Sequence, residues 1–494
     1  MGDVERTRID PAASLCRDEG RLLQGNGQQL IQSRWRRIVT PIPAPKSISV
    51  INELQAVEAR SMSGMPPILW QEAEGFLVRD PYGNQWIDLT SGIVAANVGH
   101  AHPRIAEAIR QAVDRKLLFS YAFPTDIRKQ LLEKLVQLAP IENAKAILFS
   151  AGTEATECAM ALMRSHGRKI SPEKVGILSF QDSYHGRTLS ASLAAGRAGP
   201  NDWITREEAY HYQVPFPFCV QCPWGRDGYQ QCGEECFRSC LASLADRGIG
   251  PEKIAGILTE SVPGWATWPL PVDFTQAMAN WAHENNILLT FDEIQAGCGR
   301  TGKFFGFEHC DVVPDLITLG KGLTSSLPAS AVIGRREILD QPNPGEMSST
   351  HSGNPICAAA ALANLQVIED EQLVAASEKT GYLVLERLKR LEQEHPDLVR
   401  SVHGRGLFIS VHLKHPDTGE PYASLADAIV TEAIRRGVMM FPTTRGFLKI
   451  VPPLCIDPEA ALEAIEVVCD CFIELKGKLE KQDMVSTITV NHKK

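Results

Sequence analysis

The sequence predicts an α/β protein with a mainly parallel central sheet covered by helices. Between roughly residues 100 and 340, short apolar strands alternate with helical patterns. The strands at 255–259, 287–291 and 315–319 lack polar alternation, which is typical of strands covered on both faces. With 494 residues and 44% hydrophobic composition, the chain can bury large cores and exceeds the usual size of one domain. We therefore expect two domains.

The charge and hydropathy of the chain argue against several classes of partner. The net charge is −9 at pH 7 and the pI is about 5.9, so the protein as a whole repels nucleic acids and anionic membranes. No apolar run approaches the length needed to span a bilayer, and the N-terminus lacks an apolar secretory core. We expect a cytoplasmic protein that binds small molecules, without a nucleic-acid or membrane partner.

An acid and a lysine stand at the ends of two of these strands. Asp292 directly follows the strand at 287–291, and Lys321 comes two residues after the strand at 315–319. Ligands in such sheets collect at the carboxyl ends of strands. Pyridoxal chemistry needs an acid that keeps the pyridine nitrogen protonated and a lysine that forms a Schiff base and moves protons. The pair therefore indicates a pyridoxal-phosphate site, although a salt bridge at a sheet edge would produce the same pair.

A phosphate-binding turn is predicted at Gly152-Thr153. A short apolar strand at 145–149 precedes this turn, and a helix with one apolar face follows it. The N–H groups and positive end of a helix attract anions, and Thr153 can add a hydroxyl. An ordinary helix start remains the alternative interpretation.

The motif Asp182-Ser-Tyr-His-Gly-Arg-Thr188 follows another predicted strand at 176–180. Tyr184 could stack on a flat cofactor ring, and the fork of Arg187 suits a substrate carboxylate. Core packing for Tyr184 and a surface ion pair for Arg187 are the alternatives.

Together these motifs resemble the class III, or subgroup II, aminotransferases of fold type I, a pyridoxal-phosphate-dependent family that includes 4-aminobutyrate and other ω-amino acid aminotransferases. The resemblance covers nearly the whole chain after about residue 60, beginning at Asp80–Ile93 and continuing to Val451–Leu454. It implies a large domain with the central sheet and a smaller α+β domain made from both chain ends. The expected organisation is an extension at 1–60, small-domain segments at 61–110 and 361–494, and a large cofactor-binding domain at 111–360.

The resemblance assigns roles in cofactor binding to individual positions. Lys321 is the expected Schiff-base lysine, and Asp292 the partner of the pyridine nitrogen. The remaining expected cofactor contacts are Gly152 and Thr153 at the phosphate, Tyr184 and Ile294 on the two ring faces, Gln295 at the phenolic oxygen, and His185 in the same motif as Tyr184.

The same resemblance implies an oligomer. Thr350 matches a residue that reaches the phosphate of the neighbouring subunit, so a homodimer, or a dimer of dimers, with shared active sites is expected. The first 45 or so residues are polar and irregular, with Pro41, Pro43 and Pro45 breaking any helix, and we interpret them as an extension lying over the dimer.

The expected substrate-binding positions are Ile93, Arg187, Glu260, Arg445 and Lys449. Arg187 resembles the arginine that holds a distal carboxylate, and Glu260 the glutamate that pairs with a second, switching arginine. That second arginine is replaced here by Lys449, so recognition of a carboxylate would weaken or shift to Arg445.

The predicted activity is a ping-pong ω-amino acid, or amine, to 2-oxo acid transamination through a Lys321 aldimine and pyridoxamine phosphate. The alternative is a lyase of the same family that eliminates ammonia or phosphate from a phospho- or phosphono-substituted amine, and racemisation would be a third outcome. A catalytically dead binding module is disfavoured by the intact Lys321 and Asp292.

Five of the thirteen cysteines crowd into an insertion at about 212–242. Their close spacing could suit zinc or an iron–sulfur cluster, but no second C-x2-C pair completes the usual pattern, so reduced thiols packed in a loop are the alternative. The five residues are Cys219, Cys222, Cys232, Cys236 and Cys240.

Overall fold

The computed structural model describes residues 30–196, 203–225, 232–265, 267–442 and 445–491, with side chains described as far as residue 477 of the last segment. Within these residues, no helix is both long and apolar enough to cross a membrane.

The strands are short, and they fall into three sheets. In chain order they are β1 (Ile31–Gln32), β2 (Arg37–Ile38), β3 (Glu72–Glu74), β4 (Leu77–Arg79), β5 (Gln85–Asp88), β6 (Ala144–Phe149), β7 (Gly176–Phe180), β8 (His211–Val214), β9 (Ile254–Glu260), β10 (Leu288–Asp292), β11 (Leu316–Leu319), β12 (Ser330–Arg335), β13 (Val399–Arg405), β14 (Phe408–Leu413), β15 (Val438–Met439) and β16 (Phe447–Ile450).

The α-helices of the described residues range from single turns to one long C-terminal helix. In chain order they are α1 (Ser47–Val57), α2 (Ser91–Val94), α3 (Pro103–Asp114), α4 (Asp126–Leu138), α5 (Gly152–Ile170), α6 (Leu189–Ala194), α7 (Gly233–Ala245), α8 (Val272–Glu284), α9 (Arg336–Leu339), α10 (Pro355–Asp370), α11 (Leu373–Glu394), α12 (Ala423–Arg435) and α13 (Pro458–Asn491).

The chain divides into two compact units. Among the described residues, a central unit comprises those within Ile93–Gly381 and His403–Phe408, and a terminal unit comprises those up to Gly92, within Tyr382–Val402 and from Ile409 onwards. The sequence places the division near residues 110 and 360. Helices α3 and α10, which contain those two positions, pack against each other inside the central unit.

The central unit contains a seven-stranded sheet in the order β6-β12-β11-β10-β9-β7-β8. Strands β8, β7, β9, β10 and β11 are parallel, and β12 runs antiparallel to both of its neighbours. Every residue of β9 is buried, because helices cover both faces of this sheet. The predicted α/β fold with a mainly parallel central sheet is therefore confirmed.

Helix α5 packs its apolar face on this sheet. The face consists of Ala155, Cys158, Ala159, Leu162 and Met163, all of which are buried, as the sequence predicts. Contact with β9 is close: a Cβ at Gly256 would lie 2.0 Å from the sulfur of Met163, so only glycine allows the helix to approach there. This packing fixes the N-terminus of α5 at the edge of the sheet.

The terminal unit has a sheet of its own, in the order β1-β2-β5-β4-β3, with β15 parallel to β5. The sequence predicts irregular structure before residue 45, but β1 and β2 pair with each other and Arg37 of β2 pairs with Gln85 of β5. Two-residue strands are too short to show a periodicity, which explains the difference. Residues 1–29 of the predicted extension lie outside the described residues.

Candidate active site

The carboxyl ends of β10 and β11 bring Asp292 and Lys321 to one edge of the central sheet. Asp292 is the last residue of β10 and pairs with Thr318 of the parallel strand β11, two residues before Gly320-Lys321. Asp292 is buried, and its Oδ1 accepts hydrogen bonds from the Ile294 N–H (3.1 Å) and the Thr318 hydroxyl (3.2 Å). The strand ends therefore hold this carboxylate in a fixed orientation.

His185 is the third partner of Asp292. Its Nδ1 lies 2.7 Å from Asp292 Oδ2, and because an ionised carboxylate only accepts hydrogen bonds, this ring nitrogen is the donor. Its backbone carbonyl accepts the Thr156 hydroxyl at 2.7 Å, which fixes the motif to α5. The ring is buried, and its Nε2 has no hydrogen-bond partner among the described residues.

Lys321 begins a single 3₁₀ turn (Lys321–Leu323) with a positive φ of 41°, a conformation that costs a non-glycine residue free energy and is concentrated at functional sites. Although part of the residue's surface is exposed, burial of its amine lowers the pKa of Lys321, and the nearby carboxylates of Asp292 and Glu260 oppose that shift. A lowered pKa favours the neutral, nucleophilic form of the amine.

Two glycines let the Ile294 side chain pack closely against the backbone beside this lysine. A Cβ at Gly152 would lie 2.9 Å from Ile294 Cδ1, and one at Gly320 would lie 3.3 Å from Ile294 Cγ2 and 3.7 Å from the Gly152 Cα. Gly152 and Thr153 are the first residues of α5, whose opening N–H groups have no acceptor within the helix. The converging backbone thus presents N–H donors next to Lys321, as a phosphate cradle requires.

Two cations lie close to the Tyr184 ring. The Lys321 amine is 5.9 Å from the centre of its ring, and the Arg187 guanidinium carbon is 5.8 Å from the same point. Arg187 is exposed, so its fork can still bind a ligand.

Glu260, at the end of β9, anchors the site through backbone groups. Its two oxygens accept hydrogen bonds from the N–H of Tyr184 and the N–H of Gly264, both at 2.9 Å. Burial raises the pKa of Glu260, and the charges of His185 and Asp292 act on it in opposite directions. Gly264 in turn borders Gln295, because a Cβ there would lie 2.4 Å from the Gln295 side-chain nitrogen. Glu260 therefore fixes both Tyr184 and the loop against Gln295.

The other sequence-predicted positions are distributed over both units. Ile93 in α2 is 57% exposed, and Thr350 lies on an exposed loop of the central unit. Arg445 and Lys449 belong to the terminal unit, where Lys449 on β16 pairs with Ser410 and its amine lies 5.7 Å from the ring centre of Phe441.

The five cysteines of the insertion are described, but residues 226–231 between them are not. The thiols of Cys219 and Cys240 donate hydrogen bonds to backbone carbonyls. Burial raises the pKa of Cys219 to about 11, and the neighbouring thiols of Cys232, Cys236 and Cys222 contribute to the same shift. Among the described residues, no group of three or more His, Cys, Asp or Glu side chains is arranged to hold a metal ion. Metal binding by the insertion stays a prediction.

Sequence reasoning missed several residues that surround this site. Glu293 follows Asp292 and is buried, with its oxygens accepting the N–H groups of Gly306 (2.7 Å) and Phe307 (3.3 Å). Thr188 and Glu157 form hydrogen bonds around Thr153. The four-residue spacing of Thr153 and Glu157 on one helix face is a signal that could have pointed to their proximity.

Glu293 gives the fold a pH dependence of its own. Burial raises the pKa of Glu293 to about 7. A folded-state pKa above the unfolded value adds stability that is complete below the unfolded pKa and is lost as the pH rises towards 7. We expect the free energy of unfolding of the wild type to fall by about 3 kcal/mol between pH 4.5 and 8 because of this group. Glu293→Gln should remove most of this fall. Urea denaturation of the wild type and of Glu293→Gln across this pH range measures the two free energies of unfolding. Parallel pH profiles of the two proteins would contradict the prediction.

The residues present fit pyridoxal 5′-phosphate. The donors at the start of α5 suit its phosphate, and the oriented Asp292 carboxylate suits a protonated ring nitrogen. Lys321 offers an amine of lowered pKa, and the Tyr184 ring, 5.9 Å from that amine, suits stacking on a flat cofactor ring.

Comparison with known proteins agrees with this arrangement. The family model described as "Aminotransferase class-III" matches residues 58–472. A 4-aminobutyrate aminotransferase from Mycobacterium leprae (strain TN) is 30% identical over 447 residues, which cover 88% of this chain and 97% of that protein. A leucine/methionine racemase from Thermococcus litoralis is 32% identical over 403 residues, covering 81% of this chain and 89% of the racemase.

Solved structures show the same fold. An amine transaminase from an uncultivated Pseudomonas species, determined in the PLP-bound form, superposes with a TM-score of 0.75 at 25% identity. The match covers 85% of this chain and 97% of the transaminase.

Proposed function

The chain belongs to the class-III aminotransferases and is a pyridoxal 5′-phosphate-dependent transaminase, and from this premise we propose that it moves the amino group of an ω-amino acid of the 4-aminobutyrate type, or of a related amine, to a 2-oxo acid. The observation that carries the proposal is the placement of Lys321 and Arg187 about one Tyr184 ring. With the Lys321 amine and the Arg187 guanidinium near the same ring, the site suits a donor that carries an amino group and a carboxylate.

In the proposed mechanism, bound pyridoxal 5′-phosphate supplies an aldehyde that condenses with amines and a ring that withdraws electrons from the carbon bearing the nitrogen. Asp292, oriented by His185 and Thr318, accepts the hydrogen bond of the ring nitrogen and keeps it protonated. Lys321 would take the proton from the carbon that bears the donor nitrogen and would later return it, acting first as base and then as acid. Asp292 thus stabilises the positive charge of the ring nitrogen, and Lys321 transfers the proton.

Other residues bind and orient in this proposal. Gly152 and Thr153 would hold the phosphate, Tyr184 and Ile294 would border the ring, and Gln295 would bind the phenolic oxygen. Glu260 is proposed to position the site by accepting hydrogen bonds from two backbone N–H groups, and not by contact with the ring. In the terminal unit, Arg445 and Lys449 are proposed to meet the substrate, as is Ile93 in the central unit.

The substrate class follows from the charges that the chain offers. Arg187 presents a planar fork to a carboxylate, whereas Lys449 is a point charge without that fork. Recognition of one distal carboxylate is therefore favoured over tight recognition of an α-carboxylate. The similarity to 4-aminobutyrate aminotransferases supports the same donor class.

A panel of amines, with the cofactor spectrum followed in the absence of 2-oxo acid, tests this function. We expect 4-aminobutyrate to transfer its amino group to the cofactor, with a spectral change and no release of ammonia. Arg187→Ala should raise KM for 4-aminobutyrate about tenfold to a hundredfold, while KM for a neutral primary amine stays unchanged, because only the acid uses the guanidinium.

Two other results would overturn the proposed reaction. Ammonia release from a phosphorylated amine, with the spectrum retained, would indicate the lyase alternative. Interconversion of L- and D-leucine with deuterium uptake from D₂O, again with the spectrum retained, would indicate racemisation, the activity named for the Thermococcus litoralis relative.

The proposal includes a homodimer with shared sites. The segment 117–123 of the central unit carries the exposed side chains of Leu118 (54%) and Phe123 (75%), an apolar surface of the kind found at subunit interfaces. This surface is continuous with the loop that carries Thr350: the Leu118 carbonyl accepts the Asn354 amide at 2.8 Å, and the Tyr121 hydroxyl lies 2.9 Å from the Ser348 hydroxyl. The proposed interface therefore lies next to the loop that carries Thr350, the residue proposed to reach the partner's phosphate.

We also propose a cytoplasmic location, because a chain with thirteen cysteines suits a reducing compartment.

A further inference from the structure

A chain of hydrogen bonds leads away from the proposed phosphate cradle. The hydroxyl oxygens of Thr153 and Thr188 lie 2.6 Å apart, and the Thr188 hydroxyl donates to Glu157 Oε1, also at 2.6 Å. The same carboxylate oxygen accepts the Ala191 N–H at 3.0 Å. Thr188 precedes α6 but does not cap it with its own side chain, and Glu157 accepts a helix N–H in its place.

The direction of this chain follows from the chemistry of its last member. A carboxylate accepts hydrogen bonds and donates none, so the single hydroxyl hydrogen of Thr188 points to Glu157. The Thr188 oxygen can then only accept from Thr153. The hydroxyl hydrogen of Thr153 is therefore directed away from any ligand in the cradle.

The Thr153 hydroxyl oxygen is closely packed. A Cβ at Gly186 would lie 2.2 Å from the Thr153 hydroxyl oxygen, so the backbone of the Tyr-His-Gly-Arg motif closes tightly over it. The backbone N–H of Thr188 also approaches that oxygen, at 3.4 Å. These contacts restrain the oxygen, whereas the hydroxyl hydrogen can rotate about the C–O bond.

A phosphate group accepts hydrogen bonds only, so it competes with Thr188 for the hydrogen of Thr153. If Thr153 donates to phosphate, Thr188 must turn its hydrogen to Thr153 and give up the charge-assisted bond to Glu157. From this geometry we infer that Glu157 is a positioning residue that, through Thr188, sets the direction of the Thr153 hydroxyl and lowers the affinity of the cradle for phosphate. The inference rests on the proposed role of Gly152 and Thr153 as that cradle.

Two substitutions test the inference by an increase in affinity, which loss of a merely structural contact would not produce. In Glu157→Gln, a neutral amide oxygen is a weaker acceptor than a carboxylate, so Thr188 releases it more readily. In Thr188→Val, the acceptor for the Thr153 hydrogen is gone. Because Thr188 is exposed and water can replace part of each bond, we expect a dissociation constant about threefold to tenfold lower in each variant.

The probes are pyridoxine 5′-phosphate and pyridoxine, titrated into the full-length protein freed of cofactor. Both lack the aldehyde that reacts with Lys321, and they differ only in the phosphate. We expect both variants to bind the phosphate probe more tightly and pyridoxine as the wild type does. Thr188→Ser keeps the hydroxyl and should match the wild type. The double variant should bind no more tightly than Thr188→Val alone, since both changes break one chain.

Several results would overturn the inference. Weaker or unchanged binding of the phosphate probe in both variants would show that Glu157 and Thr188 have only a structural role. Tighter binding in Glu157→Gln alone would point to its charge and not to the hydroxyl direction. If the wild type binds both probes equally, the cradle assignment within the proposed function fails instead, which separates the two ideas.

Discussion

Replacing Lys321 with alanine is expected to lower kcat by at least about 10⁴-fold, because the same amine is proposed to attach the cofactor and to move the proton at the donor carbon. Its lowered pKa and its position beside Asp292 and Tyr184 support both tasks. The variant should still bind the cofactor without a covalent link, because the start of α5 and the Asp292 carboxylate remain. Steady-state rates, cofactor retained after dialysis, and protein mass after borohydride reduction measure the three parts of this result.

Lys303→Ala is the matched control, since Lys303 is an exposed lysine of the same unit. It should retain normal rates and still gain the mass of the cofactor on reduction. Ordinary turnover in Lys321→Ala, or cofactor mass found on another lysine, would show that the assigned chemistry is wrong.

Placing a charge on the 117–123 segment is expected to separate the subunits of the proposed dimer. Phe123→Asp replaces an apolar side chain that is 75% exposed with a carboxylate. If a partner subunit buries this position, the burial of the charge costs several kcal/mol of association free energy. We expect a shift towards monomer in sedimentation velocity and a loss of about a hundredfold in activity at low protein concentration, because each site would lose the partner's loop.

Val313→Asp serves as the control for this change. Val313 is 62% exposed in the same unit but lies outside the segment, so its variant should keep the assembly of the wild type. Mixtures of inactive Lys321→Ala and Thr350→Asp proteins should recover activity if the sites are shared. A wild-type monomer with full activity, or a Phe123→Asp protein that assembles normally, would contradict the proposed interface.

The fold class and the family could be predicted from the sequence, and both are confirmed. Apolar strands such as β9 and β10 are signalled by their own composition, and the buried face of α5 by its own periodicity. The residues at strand ends, Asp292 and Lys321, are located by the same local pattern. The predicted cofactor is confirmed with the family, while the roles of individual site residues stay predictions.

The sequence was a poorer guide to short strands and to hydrogen-bond partners. The strands β1 and β2 have no periodicity to detect. Glu260 matches the position of a glutamate that pairs with an arginine in the resembled family, and the structure adds that its two oxygens accept hydrogen bonds from backbone N–H groups of the central unit. Nothing in a linear pattern specifies which N–H groups a buried carboxylate will meet.

The sequence by itself determined the kinds of element in this chain and the chemical groups placed at their ends, because strand and helix periodicities depend on near neighbours. Only the tertiary structure decided how those groups are held. The bond from His185 to Asp292 joins residues 107 positions apart, and the hydroxyl chain from Thr153 to Glu157 closes through Thr188 on another segment. Hydrogen-bond direction, burial and the pKa shifts that follow depend on which distant atoms exclude water from a group, and that is set only when the chain is packed.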